Sequence, residues 1–158
     1  MAILSALNVS KSYGQPGVQT QVLENATLCV NEGEFVTILG PSGSGKSTLL
    51  NICGLIESID HGELTHQKTR LDQFTESQRT HYRRQHLGFI FQSFNLVPVM
   101  TVAANVGFPL MLLDWSAAQK KQRVQEILAL VGLSEFADKK PENCLVDNVS
   151  EWLLHELW

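Results

Sequence analysis

The sequence lacks the features of a nucleic-acid-binding, disulfide-stabilised or membrane-spanning protein. Its formal net charge of −4 gives no indication of a nucleic-acid partner. Three cysteines, an odd number without metal-like spacing, argue against a disulfide framework and favour a reduced, cytoplasmic compartment. The longest apolar stretch, Val106–Leu113, is too short to cross a bilayer, and the N-terminus has no signal-peptide pattern. We therefore expect no membrane span in this sequence.

Length and composition are ordinary for a globular protein. With 158 residues, of which 44% are hydrophobic and 18% charged, the chain can form one domain with a sizeable core. A turn is expected over residues 12–20, and the first part of the chain predicts three strands and then a helix, over Ala2–Val9, Gln21–Val30, Phe35–Leu39 and Lys46–Ile56. The continuous apolar run Phe35–Leu39 is typical of a strand buried on both faces of a parallel sheet.

The remainder of the chain is predicted to be largely helical. Thr75 and Ser116 each stand three residues before a glutamine, which is the spacing of a capping box. These boxes predict helices that run to about Gln85 and to the terminator Gly132. Between them we expect a strand and a capped helix, over Leu87–Phe91 and Thr101–Leu113. The order of elements predicts an α/β fold with a helical subdomain.

One motif carries specific chemistry. It fits the pattern G-x-x-x-x-G-K-[ST] and consists of Gly40, Pro41, Ser42, Gly43, Ser44, Gly45, Lys46, Ser47 and Thr48. Gly43 and Gly45 allow backbone angles that turn successive N–H groups toward phosphate oxygens. Lys46 would place its charge on the β- and γ-phosphates, and the Ser47 hydroxyl can hold Mg²⁺. The helix that begins there adds the positive end of its dipole.

A chance glycine-rich turn is the alternative interpretation of this motif. A random chain of this length matches the bare pattern with a probability of about 0.5%. The strand expected before the loop and the helix expected after it are the context that the motif requires. The sequence therefore predicts a site for nucleotide phosphates, which by itself leaves kinases, GTPases and motor ATPases open.

Residues outside the loop resemble those of one family. Tyr13 lies in a KSYG stretch upstream of the loop, and residues 87–98 read LGFIFQSFNLVP. With the loop, these stretches resemble the ATP-binding subunits of ATP-binding-cassette (ABC) transporters, most closely those of the lipoprotein-release and macrolide-exporter type. The resemblance covers about residues 3–142. It departs at Lys68, where the family usually has a glycine turn.

The resemblance implies a role for each matching residue. Tyr13 would stack on the adenine of ATP, whereas its position alone also suits a half-buried turn tyrosine. Gln92 would be the Q-loop glutamine, a Mg²⁺ ligand with Ser47 and the candidate catalytic residue that senses water. If the family resemblance is left aside, the sequence around Gln92 indicates only the end of a strand with aromatic packing. The implied cofactors are ATP and Mg²⁺.

The resemblance also implies partners and a location. The implied partners are a transmembrane permease subunit, received near Phe94–Met100, and a second nucleotide-binding subunit in a dimer. The chain would be cytoplasmic and peripheral, held on the inner face of the cell membrane through the permease. The transported substrate is not readable from this sequence, because specificity in the family lies in the membrane subunit.

Part of the family's chemistry has no match in the sequence. The signature LSGGQ, an apolar strand ending in Asp-Glu, and a switch histidine are expected after Pro141 and are absent. Pro109–Asp114 imitates the apolar strand, but Trp115 stands at the glutamate position and the segment precedes the expected signature. We expect a P-loop NTPase fold of ABC type without its C-terminal core strands. Its antiparallel β subdomain and P-loop core would span about residues 1–92, and a partial helical subdomain about 93–142.

The tail, residues 143–158, is interpreted as out-of-frame peptide. Codons permitted for Asn143–Trp158, read from the third base of the first triplet, translate as LSGGQRQRVAIARAL, the family's signature and following helix. We hypothesise that one base was lost near codon 143, in the gene or in its sequencing. The nucleotide sequence at that position tests this, and the alternative is a specialised C-terminal segment.

The leading interpretation is an ATP-binding subunit of an ABC-type exporter, which binds ATP and is deficient in hydrolysis. The second is a non-catalytic nucleotide-binding or regulatory fragment that pairs with a full-length subunit. A small P-loop kinase is disfavoured, because no acceptor-binding or lid residues are recognisable.

Overall fold

The structure, a computed structural model, describes residues 2–15, 17–91 and 95–143. They fall into two compact units, one up to Gly88 and one from Phe89 onward. The strands are β1 (Ala2–Gln15), β2 (Val18–Asn31), β3 (His61–His66) and β4 (Thr69–Arg70), and the helices are α1 (Lys46–Cys53), α2 (Glu76–His86), α3 (Val102–Gly107) and α4 (Ala117–Leu130). Three short 3-10 helices cover Pro109–Leu112, Ser134–Phe136 and Pro141–Asn143. The predicted subdomain boundary at about residue 92 and the predicted tail stay predictions, because residues 92–94 and 144–158 lie outside the described part.

The first unit is built on an antiparallel sheet in the order β2-β1-β3-β4. β1 and β2 form a long hairpin whose pairing continues to Gln15 and Val18. The predicted turn over residues 12–20 is therefore too long, since Tyr13 already pairs with Thr20. Ladder hydrogen bonds use backbone groups, so polar side chains that read as a turn are compatible with a paired strand.

Helix α1 packs its apolar side against this sheet. Its Ile52 is fully buried, whereas Leu50 on another side of the helix stays 56% exposed, so the helix is less enclosed than its apolar sequence predicts. The helix ends at Cys53 rather than Ile56, because Gly54 caps it and Leu55 turns into the core with a φ of +59°. The buried core of this unit consists of Ala6, Val9, Leu23, Ile52, Leu55, Leu64 and Leu71.

Two predicted strands do not form in the described structure. Phe35–Leu39 has no strand geometry, and the side chains of Phe35 and Leu39 are 93% and 85% exposed. Leu87–Phe91 is likewise irregular, with Ile90 exposed. The prediction assumed neighbours in a parallel sheet, and all strand pairs of the described residues are antiparallel and involve only β1 to β4. A strand without a hydrogen-bonded neighbour is not stable as a strand.

Helix ends follow the predicted chemistry closely. Thr75 and Ser116 both form complete capping boxes, in which the hydroxyl accepts from the third helical N–H and the glutamine side chain returns to the cap N–H. Gly132, with a φ of +70°, follows the end of α4. Helix α3 begins after the predicted cap Thr101 but ends at Gly107, ahead of a 3-10 helix that starts at Pro109, whose nitrogen cannot donate.

The second unit has its own small core. Helices α3 and α4 bury apolar side chains against each other and against the turn after α4. Asn105 holds the segment before α3, because its side chain accepts from the Val97 N–H at 2.7 Å and donates to the Thr101 carbonyl at 3.0 Å. The buried residues of this unit are Val102, Val106, Ile127, Leu128 and Leu133.

Strands β3 and β4 form a hairpin with a two-residue turn. Gln67 and Lys68 occupy it with φ values of +47° and +72°, in the left-handed region that favours glycine. The hairpin therefore forms although Lys68 stands where glycine is usual in the resembled family. Next to the turn, the buried His66 contacts the hydroxyl of Tyr82 through Nδ1 at 2.7 Å. Burial, with a smaller contribution from His86, lowers the pKa of His66.

Candidate phosphate-binding loop

The loop of residues 40–45 opens directly onto α1. Gly43 and Gly45 have φ values of +79° and +83°, and the first helical hydrogen bond runs from the Leu49 N–H to the Gly45 carbonyl at 2.9 Å. The N–H groups of a first helical turn have no acceptor within the helix, so they and the helix dipole concentrate positive potential at this end. Residues 40–44 are exposed, which leaves the loop accessible to an anion.

Gly45 is required by packing as well as by its backbone angle. A Cβ at this position would lie 2.7 Å from Leu23 Cδ2 and 2.9 Å from the Val22 carbonyl oxygen. Both neighbours belong to β2, so the loop rests directly on the hairpin. A side chain at residue 45 would push the loop off this strand.

The Lys46 side chain crosses the loop. Its Nζ donates to the Gly40 carbonyl at 3.0 Å and to the Pro41 carbonyl at 2.7 Å, and it lies 3.5 Å from Ser44 Oγ. The ammonium is thus held at the loop, next to the helix N-terminus. The following residue, Ser47, is exposed beside it. A cation, the free N–H groups of a helix start and an exposed hydroxyl suit the oxygens of a phosphate chain and its Mg²⁺.

Tyr13 lies beside the same loop. The residue is 41% exposed, and its hydroxyl donates to the Glu57 carboxylate. The side chain of Thr48, the last residue of the loop motif, also hydrogen-bonds to that hydroxyl. Partial removal from water raises the pKa of Tyr13, and the hydrogen bond to Glu57 raises it further. The structure thus brings Tyr13 together with the loop, whereas Gln92 and Phe94 lie outside the described residues.

Two neighbours of Tyr13 were not predicted from the sequence. The Lys11 ammonium stands 5.7 Å from the centroid of the Tyr13 ring, within reach of a cation–π contact. Lys11 was detectable, because residues two apart on a strand share a face. Glu57 was not, since it lies in an irregular segment after α1 and no pattern links it to β1.

Other parts of the described structure add little chemistry. Among the residues the structure describes, no group of three or more His, Cys, Asp and Glu side chains is arranged to hold a metal. The Cys53 thiol is buried, which raises its pKa to about 11 and keeps it protonated. In the same part of the chain, no helix combines the length and apolarity that crossing a membrane requires.

A glycine-rich loop that opens onto a helix, with a lysine across it, is the arrangement that characterises the P-loop class of proteins. The chain belongs to the ABC transporter family, whose model matches residues 23–151. The match covers the loop and residues 87–98, two of the three stretches that carry the resemblance.

Curated relatives carry the same family's names. The chain is 41% identical over 140 residues to the lipoprotein-releasing system ATP-binding protein LolD 1 of Rhodospirillum rubrum, which covers 89% of this chain and 62% of that protein. It is 36% identical over 141 residues to the bacitracin export ATP-binding protein BceA of Halalkalibacterium halodurans, at 89% and 56% coverage. The expected exporter-type relationship is confirmed at the level of the family and its relatives.

A solved cassette shares the fold. The dimeric ATP-binding cassette MJ0796, in a post-hydrolysis state bound to ADP and Pi, is similar with a TM-score of 0.81 and 35% identity, covering 96% of this chain and 66% of that chain. The predicted class, a partial ABC-type α/β fold, is confirmed. The chain spans 56% and 62% of the length of the two curated relatives above.

Proposed function

We propose that this chain binds ATP with Mg²⁺ as the nucleotide-binding part of an ABC-type exporter. Residues 40–48 would hold the phosphates, Lys46 would neutralise the β- and γ-phosphates, and Ser47 would hold the Mg²⁺. Tyr13 would stack on the adenine. The observation that carries the proposal is the Lys46 ammonium within 3.0 Å of two loop carbonyls, beside the start of α1.

The remaining ligand and the partners are proposed from the family. Gln92 would complete the Mg²⁺ site and sense the attacking water. The partners would be a transmembrane permease and a second nucleotide-binding subunit, which would hold the chain at the inner face of the membrane. The names of LolD 1 and BceA as export or release ATP-binding proteins support an exporter, and the dimeric state of MJ0796 supports the pairing.

Turnover is not expected from residues 1–158 by themselves. Phosphoryl transfer to water needs a carboxylate or equivalent group that positions the nucleophile, and it needs charge stabilisation around the γ-phosphate. The sequence contains no LSGGQ and no apolar strand ending in Asp-Glu. The chain would therefore bind ATP and not hydrolyse it.

Titration calorimetry with MgATP tests the binding proposal. Lys46→Ala should weaken binding by roughly 10- to 100-fold, because a charge-assisted contact contributes about 1.5–3 kcal/mol. Lys121→Ala, which changes the same residue type on the exposed surface of α4, is the matched control and should bind as the parent chain does. If folded parent protein gives no binding heat, the proposed ATP binding is refuted. If the parent chain hydrolyses ATP and Lys46→Ala abolishes that turnover, the proposed lack of hydrolysis is refuted.

A second candidate function follows from a sequence that contains the phosphate loop but not the signature LSGGQ. The chain would lend one phosphate loop to a longer ABC subunit and act as a regulatory fragment. Its presence in a complex purified through a full-length relative, with ATP bound and no turnover from the fragment alone, would favour this reading over an independent subunit.

A further inference from the structure

The hydroxyl of Tyr13 forms a hydrogen bond with a carboxylate of the protein. It donates to Glu57 Oε2, and Glu57 follows α1 in an irregular segment that returns to β1. Tyr13 as a residue stays 41% exposed. A hydrogen bond at the far end of a tyrosine fixes the long axis of the ring while its faces stay available for stacking.

Glu57 is itself held from the helix that follows the phosphate loop. Its Oε1 accepts from Asn51 Nδ2 at 2.9 Å, and its backbone N–H donates to the Asn51 carbonyl at 3.2 Å. Asn51 lies in α1, and both side chains are partly buried. Both oxygens of the carboxylate therefore accept a hydrogen bond, one from Tyr13 and one from Asn51 of the helix that begins at Lys46.

A second set of contacts ties the same segment to β1. The Lys11 ammonium donates to Asp60 Oδ1 at 3.2 Å and to Ser58 Oγ at 3.4 Å, and the Ser12 N–H donates to Asp60 Oδ2 at 2.7 Å. Residues 58–60 are thus fixed to β1 next to the contact between Glu57 and Tyr13. Such a rigid segment can position a side chain that it contacts.

We propose that Glu57 is a positioning residue for base recognition, which orients Tyr13 and couples it through Asn51 to the phosphate-loop helix. The proposal rests on the proposed nucleotide-binding function. Glu57 contacts neither the loop carbonyls nor the Lys46 ammonium in the described hydrogen bonds. Its contribution should therefore appear with ligands that carry a base and not with the phosphate chain alone.

Two ligands separate this role from a general structural one. MgATP and magnesium tripolyphosphate share the phosphate chain, and only the first has a base. Glu57→Ala should weaken MgATP binding by about 5- to 10-fold, which is the upper range for the net loss of one ordinary hydrogen bond, and should change tripolyphosphate binding less than about twofold. Glu24→Ala, an exposed glutamate of β2, is the matched control and should change neither.

Companion variants identify the hydrogen bond as the cause. Tyr13→Phe should lose about as much MgATP affinity as Glu57→Ala, and the double variant should lose little more, since both remove one contact. Glu57→Gln should keep most of the affinity, because its amide oxygen can still accept from the phenol while the Asn51 amide turns over to accept from the new NH2 group. Equal losses for both ligands, additive losses in the double variant, or unchanged MgATP binding in Glu57→Ala would each overturn the proposal.

A measurement made without nucleotide distinguishes the proposed role of Glu57 from the proposed nucleotide-binding function. The pKa of Tyr13, followed by phenolate absorption, should fall toward its ordinary value in Glu57→Ala, because the carboxylate that favours the protonated phenol is gone. An unchanged pKa overturns the positioning contact alone. A folded parent chain that shows the raised pKa but binds neither MgATP nor tripolyphosphate overturns the nucleotide-binding function, and with it the role of Glu57.

Discussion

The hairpin β1–β2 and the run Phe35–Leu39 are both predicted extended segments of the first unit, with opposite outcomes. Each strand of the hairpin has fourteen residues, and Val9 and Leu23 are buried on it. The run is the more apolar of the two, yet Phe35 and Leu39 are almost fully exposed and no strand forms. Hydrophobicity therefore does not decide which segment becomes a strand here.

The difference lies in where each segment finds its partner. A hairpin strand pairs with the next strand across a short turn, at a small cost in loop-closure entropy. A strand buried within a parallel sheet needs neighbours from distant parts of the sequence. The described residues supply the first kind of partner and not the second. A strand is thus a property of a pair of segments.

The largest expected effect compares one leucine from each region. Leu64 in β3 is 2% exposed in the core beneath the hairpin, and Leu39 belongs to the run. Leu64→Ala should lower the free energy of unfolding by about 3 kcal/mol, through lost burial and the cavity left behind. Leu39→Ala should change it by less than about 0.5 kcal/mol. Urea unfolding followed by circular dichroism measures both, and equal losses would break the comparison.

An intermediate effect is expected on self-association. The run combines β-branched and aromatic residues with no charge and no proline, which is the pattern of segments that pair with copies of themselves. We expect poor solubility of the isolated chain, and Leu39→Lys should raise the monomer fraction in size-exclusion chromatography several-fold.

The matched control for this experiment is Leu130→Lys. Leu130 is 66% exposed at the end of α4, outside the run. Lysine there should leave self-association nearly unchanged. A parent chain that elutes as a clean, cooperatively folding monomer would contradict the prediction, and equal benefits from both lysines would show that net charge alone is responsible.

The smallest expected effect concerns the other hairpin. Lys68 adopts a φ of +72° in the turn between β3 and β4. Lys68→Gly should raise the free energy of unfolding by about 0.5 kcal/mol, because relief of the left-handed strain exceeds the added entropy of the unfolded chain. Lys121→Gly inside α4 should instead lower it by about 1 kcal/mol. Thermal unfolding of both variants checks that the free energy of unfolding rises in one and falls in the other.

Local chemistry made much of the structure predictable. The two capping boxes and the phosphate loop are encoded within a few neighbouring residues, and the structure has the loop opening onto a helix at Lys46 as expected. The family and the partial α/β fold followed from short motifs in the same way. The strands predicted over Phe35–Leu39 and Leu87–Phe91 were wrong, because their state depends on residues far along the chain. The role of Glu57 was missed, because its contact with Tyr13 spans 44 residues. Long-range contacts leave no periodic trace in a single sequence.

The close approach of Gly45 to β2 makes the position of the loop depend on the position of the hairpin. Because the Val22 carbonyl oxygen and Leu23 fill the space where residue 45 would carry a side chain, the loop can keep this position only while β2 keeps its own.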